Sequence, residues 1–333
     1  MPEGAEWFEG LMGFNEAAYE ETRAKLAING DRLQSLVNLK TYQIGSLELS
    51  SLKTLRARTS LPMDGPRKIR STIVRGDVRA LHADAANSGA LFQVASQFNL
   101  LEMVSPEVSP RAGVACYAND LTQGPACAIA AGAATIYRNY FAQTPEQQID
   151  GLEDIGAALS EALETPLKSL WTMRNGYALP TYKGLADIAA YLAGADEATR
   201  DALRAKLKIG VHWDVEVTDA TAPEAQIVSQ AFCSAMPVSY TYLDEEIWEA
   251  FATLTLEAAY EGTLRAAILN AERGRSNVVY LTMLGGGAFG NRPVWILNAM
   301  ARALNLARGA DLDVRLVSYH TPWRRMVELF DQN

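Results

Sequence analysis

Cysteine and histidine are scarce, with three of each in 333 residues. Cys116, Cys127 and Cys233 are an odd number in a long chain, which gives no basis for a disulfide framework. His82, His212 and His320 stand apart, and His82-x-Asp84 would supply two metal ligands on one strand face at most. We therefore expect neither a metal nor a cofactor. No apolar run reaches the roughly 18 residues needed to span a bilayer. The opening stretch, Met1-Pro-Glu-Gly-Ala-Glu6, is acidic and lacks a signal-peptide pattern, so we expect a cytoplasmic protein with no membrane partner. Basic residues are outnumbered, 30 against 39 acidic, and a net charge of −9 argues against nonspecific binding to nucleic acid. Internal repeats and low-complexity linkers are missing as well.

The composition that remains, 49% hydrophobic and 21% charged, suits one large domain or two modest ones. Residues 5–30 read as helical, with Phe8, Leu11, Ala18, Thr22 and Leu26 on an approximate apolar face. Pro62-Met-Asp-Gly-Pro66 is a breaker. It sets an expected boundary between an N-terminal helical extension, 1–66, and an α/β domain, 67–333. Strands are expected at Lys68–Val74 and Val78–Ala83, and helices at Ala90–Phe98 and from Pro125 to Tyr140. Residues 142–243 read as a largely helical insertion, although Ile209–Thr218 alternates as a strand. Asp244 caps a long helix to Glu272, closed by Gly274. Trp171, Trp213 and Trp295 are expected to anchor the core. Alternating strands and helices predict a three-layer α/β/α sandwich around a mixed, mostly parallel sheet.

The block Val278–Tyr319 carries the strongest signal. An apolar strand, Val278–Leu284, runs into Gly285-Gly-Gly-Ala-Phe-Gly-Asn291, where four glycines in six residues let backbone N–H groups approach a ligand. Asn291 suits an N-cap and Pro293 a first helical position. Leu297, Met300, Ala301, Leu304 and Ala307 follow at helical spacing, and Leu312–Tyr319 reads as the next strand. A glycine loop entering a helix N-terminus favours a phosphate-bearing ligand. It can also be a packing solution with no ligand. Gly285-x-Gly287-x-x-Gly290 also fits a dinucleotide fingerprint. Against that, only one strand follows the loop, the helix starts beyond the third glycine, and Asp311 and Asp313 open the next strand where an acid should close it.

A second block, Arg75-Gly-Asp-Val-Arg-Ala-Leu-His-Ala-Asp84-Ala-Ala-Asn87-Ser-Gly89, reads as a strand entering a turn and a helix. The Gly-Asp-Val strand with Ala-Ala-Asn-Ser-Gly resembles the first half of a macrodomain. The Gly-Gly-Gly-Ala-Phe-Gly-Asn loop resembles that family's second phosphate loop. The two blocks cover roughly 70 residues in the family's order. The resemblance implies binding of ADP-ribose, a related adenine nucleotide or an ADP-ribosylated substrate, and leaves open whether the chain only reads that ligand or also hydrolyses an ADP-ribosyl bond. It places Asp77, with Val78, at adenine, Asn87 near the distal ribose, and Ser88 and Gly89 at the first phosphate contact. It places Gly285, Gly286, Gly287, Ala288, Phe289, Gly290 and Asn291 around the pyrophosphate. Asp84 stands where the family's signature has an asparagine, and the glycine tract that often follows is reduced to Ser88-Gly89. Asp84 and Asn87 are the expected catalytic pair, Asp84 as the group to activate a water. Each also has a plain structural role, in turns and caps.

Two readings from other classes stay open. Cys127, just inside a helix start after Thr122-Gln-Gly-Pro125, could be a nucleophile with Gln123 as oxyanion donor and His212 as base, making the chain a cysteine hydrolase. A cysteine among alanines is also an ordinary small hydrophobe. The chain could equally be an interaction protein with no ligand and no catalysis.

Overall fold

The computed structural model describes residues 6–60, 68–220, 225–319 and 321–330. The breaker Pro62–Pro66 and His320 lie outside them. Twelve strands occur among the described residues: β1 (Leu26–Asn29), β2 (Arg32–Ser35), β3 (Thr41–Gln43), β4 (Ser46–Ser51), β5 (Arg70–Arg75), β6 (Leu91–Ala95), β7 (Trp171–Arg174), β8 (Tyr177–Pro180), β9 (Lys208–Glu216), β10 (Ile227–Cys233), β11 (Val278–Leu281) and β12 (Asp313–Ser318). Seven of them form the central sheet, in the order β4-β9-β10-β6-β11-β12-β5. From β10 to β5 every pair is parallel, and β9 is antiparallel to both its neighbours. The expected mixed, mostly parallel sheet is present.

Strand alternation builds the two outer layers. On one face of β6, Gln93 donates through Nε2 to Thr263 of the helix Glu245–Glu272 at 2.9 Å. On the other, Phe92 stacks on Tyr280 at 4.5 Å and on His82, in the helix Val78–Ala83, at 3.7 Å. Helices Glu245–Glu272 and Pro293–Leu306 cover the first face, and Val78–Ala83 and Gln123–Ala130 the second. Leu91, Val279, Leu281, Val314 and Leu316 are at most 1% exposed beneath them. Burying each such side chain contributes about 1.5–3 kcal/mol. The helix Glu245–Glu272 has no single apolar stripe because it is enclosed by the sheet and by helices Leu52–Arg58, Tyr182–Gly194 and Pro293–Leu306. Asp244 is its N-cap, as expected. Trp171, Trp213 and Trp295 are core residues.

Five expectations need correction. Residues 1–66 are not a separate helical extension, since β1–β3 form a meander and β4 is an edge strand of the central sheet. Residues 142–243 are not a mainly helical insertion, since β9 and β10 are sheet strands. The polar pair at the middle of β10 hides it: Ser229 donates to Asn270 at 3.0 Å, and Gln230 donates to the Cys127 carbonyl at 2.9 Å. These partners let polar groups sit in a core strand. Val78–Ala83 is a helix rather than a strand, because Asp77 accepts from the Arg79 and Ala80 backbone N–H groups at 2.7 and 3.1 Å and starts one. Ala90–Phe98 is not a helix, because Leu91–Ala95 pairs between β10 and β11. The helix expected from Pro125 to Tyr140 is two, Gln123–Ala130 and Gly132–Tyr140, broken at Ala131.

Candidate functional site

Parallel strands deliver all their carboxyl ends to one edge of the sheet, where α/β proteins hold ligands. Two cavities open there, of about 500 and about 340 Å³. They share Leu121, Thr122, Gln123, Thr282, Met283 and Gly287, so they form one long cleft. Among the described residues no lysine, arginine or histidine lines either half. Acids do: Asp77 in the smaller cavity, Glu102 and Asp120 in the larger.

One wall is the segment after β11. The Tyr260 hydroxyl donates to the Thr282 carbonyl at 2.7 Å and accepts from Leu284 N–H at 2.9 Å, which fixes the chain as it leaves the strand. Gly285 and Gly290 both have φ of 72°. A Cβ at Gly285 would collide with Ala235, and one at Gly290 with Ser239, so packing alone accounts for both glycines. Gly287 differs. A Cβ there would meet nothing within 4 Å, and the residue faces the cleft from both halves. Its missing side chain leaves backbone open to a ligand.

Asn291 does not cap the helix. It is buried behind the loop, donating to the Met236 carbonyl at 2.8 Å while its N–H reaches Gly285 at 2.9 Å. Arg292 takes the N-cap position, and Pro293 is the first helical residue as expected.

The opposite wall is the N-terminus of the helix Gln123–Ala130. Gln123 accepts from Ala95 N–H at 2.9 Å and donates to the Gln93 carbonyl at 2.8 Å, continuing β6 with side-chain bonds. Its amide is thus structural, which leaves no free donor for an oxyanion. Gly124 lies against the Ala95 carbonyl and 3.1 Å, measured from an added Cβ, from Glu102 Cγ. A larger residue would push the helix start away from the cleft.

Glu102 is the chemically distinctive group. It lines the larger cavity at 3% exposure, and its Oε2 has no partner within the described protein. Its Oε1 lies 3.4 Å from Nη2 of Arg138, which is fully buried, donates through Nε to the Leu100 carbonyl at 3.1 Å and sits 3.8 Å over the Phe232 ring. Burial pushes the Glu102 carboxyl up to about 7, against the pull of Arg138. A carboxyl titrating near neutrality beside a cavity suits proton transfer. Sequence reading passed over this pair. The available signal was an acid inside the apolar run Phe98-Asn-Leu-Leu-Glu-Met-Val104 and an arginine in an alanine-rich helix.

The residues expected from sequence divide between the two ends of the sheet. Asp77, Val78, Gly285, Gly286, Gly287, Ala288 and Phe289 line the cleft. Gly290 and Asn291 brace the loop from behind. Asp84, Asn87, Ser88 and Gly89 are not brought to the cleft. They form the turn before β6, at the amino end of the sheet, where Gly89 N–H bonds the carbonyl of Ile227, the first residue of β10, at 2.7 Å. Asp84 accepts from Ala86 N–H at 2.9 Å. Asn87 donates to the Leu81 carbonyl at 2.9 Å and accepts from the Tyr280 hydroxyl at 2.7 Å, so its amide is engaged in packing.

Cys127 is fully buried, and burial pushes its thiol well up; His212 is buried and pushed down. Neither is poised as nucleophile or base. Among the described residues no group of three or more His, Cys, Asp or Glu could hold a metal ion, and no helix is long and apolar enough to cross a membrane.

No protein-family model matches the chain, and no curated protein matches it in sequence. Solved structures are similar at low identity. Poly(ADP-ribose) glycohydrolase from Thermomonospora curvata is 14% identical, over 91% of this chain and 93% of that one, with a TM-score of 0.45. The same enzyme bound to the inhibitor ADP-HPD is 15% identical over the same shares, at 0.44. Poly(ADP-ribose) glycohydrolase from Deinococcus radiodurans in complex with ADP-ribose is 11% identical, over 86% and 93%, at 0.46. Likeness at this level says nothing of this chain's own ligand.

Proposed function

We propose that the chain binds ADP-ribose or a related adenine nucleotide along the double cleft and hydrolyses the bond at the distal ribose. The observation that carries this reading is the waist shared by the two cavities. There the open backbone at Gly287 and the N-terminus of the helix Gln123–Ala130 line both halves of the cleft, and Pro293, at the start of a second helix, lines the smaller half. Helix N-termini and glycine backbone hold an anion without any cationic side chain, which suits a cleft lined by none. A pyrophosphate at this waist sends its two arms into the two halves.

In the smaller half, Asp77 would accept from the exocyclic amine of adenine. In the larger half, Glu102 takes the part of general base. Its carboxylate takes a proton from a water, whose oxygen bonds to the anomeric carbon as the bond to the leaving group breaks. Arg138 holds the carboxylate in place and keeps its own charge throughout. In this reading Asp84 and Asn87 have no catalytic part. The cysteine hydrolase has no support in the burial of Cys127. An interaction protein without ligand remains the rival, and it predicts an empty loop.

Isothermal titration of the full chain with ADP-ribose, against AMP and NAD, tests the reading. Micromolar binding to wild type, lost in Gly287→Glu while that variant keeps its melting temperature, is the expected result. A folded protein that binds none of the three overturns it.

A further inference from the structure

The larger half of the cleft exceeds what a ribose fills, and its remaining walls have a consistent chemistry. Tyr177, Tyr240 and Phe289 line it together, with ring centroids 4.9 Å (Tyr177–Tyr240), 5.3 Å (Tyr177–Phe289) and 5.5 Å (Tyr240–Phe289) apart. The Tyr177 hydroxyl donates to the Met103 carbonyl at 2.6 Å, which holds this aromatic wall against the segment that carries Glu102. Two carboxylates share the cavity, Glu102 with its unpartnered Oε2 and Asp120, which turns back on Thr122 N–H at 2.9 Å. Arg138, which pairs with Glu102, does not line the cavity, and among the described residues no basic side chain does. Aromatic rings and carboxylates without a basic side chain favour a positive, flat group over an anion.

We propose that the far half of the cleft takes a planar delocalised cation, a guanidinium or a pyridinium ring, as the group attached to the distal ribose. This rests on the nucleotide reading above and narrows its substrate to N-glycosides of ADP-ribose. In the reaction the oxygen of a water bonds to the anomeric carbon. The carbon–nitrogen bond breaks with its electron pair going to nitrogen, and one proton of the water passes to Glu102. A guanidine leaving group then takes that proton and departs as the guanidinium. A pyridine departs neutral, and the proton goes on to solvent.

The test compares kcat/KM of the full chain on three compounds: NAD, which carries a pyridinium, ADP-ribosylarginine, which carries a guanidinium, and ADP-ribosylserine, whose leaving group is a neutral hydroxyl. The same rates are read for Asp120→Asn and Tyr240→Ala, beside ADP-ribose titration as a separate arm. At least one cationic compound should be cleaved tenfold or more faster than the serine compound, and which one identifies the cation. Either variant should bring that ratio toward one. Faster cleavage of the serine compound, or a ratio unmoved in both variants, overturns the proposal. ADP-ribose binding with no cleavage of any cationic compound also overturns it, and leaves the nucleotide reading standing. Absence of ADP-ribose binding removes both.

Discussion

The two ends of the central sheet carry glycine-bearing turns of similar composition, and among the described residues the one at the carboxyl end lines the cleft while the other does not. At the carboxyl end, Gly287 has free space around it and faces both halves of the cleft. At the amino end, Gly89 is knitted between Ile227 and Ser276 by backbone hydrogen bonds of 2.7 and 3.2 Å, and Asn87 is spent on Leu81 and Tyr280. The difference lies in chain direction. A strand that runs into a helix leaves N–H groups of the helix start pointing at solvent, whereas a helix that runs into a strand leaves a turn whose donors are taken by neighbouring strands. Short polar residues and glycines serve both turns, so composition cannot tell them apart.

The largest break in that comparison is expected from Glu102→Gln. It should lower kcat by at least about a hundredfold, the usual scale for removing a general base, while the dissociation constant for ADP-ribose stays within a factor of two. The wild-type rate should rise with pH through about 7, because the base works only when deprotonated, and the variant should lose that limb. Folding should show the opposite sign. A carboxyl raised from 4.5 to about 7 binds its proton more tightly when folded, so wild-type stability falls between those pH values relative to the variant. Equal slopes in the two proteins would mean that Glu102 is not buried as described.

Gly287→Glu comes next, with binding weakened at least tenfold and melting unchanged, since no atom stands where its Cβ would go. Gly124→Ala should act on the fold instead. Its Cβ would collide with the Ala95 carbonyl, and overpacking of this kind costs about 1–3 kcal/mol in denaturant unfolding. The smallest effect belongs to the amino end. Asp84→Ala removes the cap of the turn Ala85–Asn87, costs about 1 kcal/mol, and should leave ligand binding and turnover untouched. A loss of turnover in Asp84→Ala with the fold intact would bring the first sequence reading of the active site back.

Much of the second half of the chain was legible beforehand. Val278–Leu281, the glycine loop, Pro293–Leu306 and Asp313–Ser318 fall close to where their apolar spacing placed them. The first half misled, because Val78-Arg-Ala-Leu-His-Ala83 is too short to show a clear period, and the capping carboxylate of Asp77 decides in favour of a helix. In β10, Ser229 and Gln230 interrupt the apolar run and find their partners on elements far away in sequence. Glu102 was invisible for a related reason. Its burial, its raised titration and its neighbour Arg138, 36 residues on, come only from packing.

Local sequence determined what depends on nearest neighbours: the alternation of strands with helices, the cap at Asp244, the helix start at Pro293, and a glycine loop leading into it. Tertiary structure decided which turn faces a cavity, which glycines are obligatory and which one is open, and which carboxylate is held out of water. Those properties belong to pairs of groups distant in the chain, and no periodicity or spacing along the sequence encodes the desolvation and partners that a group meets only when the sheet is assembled.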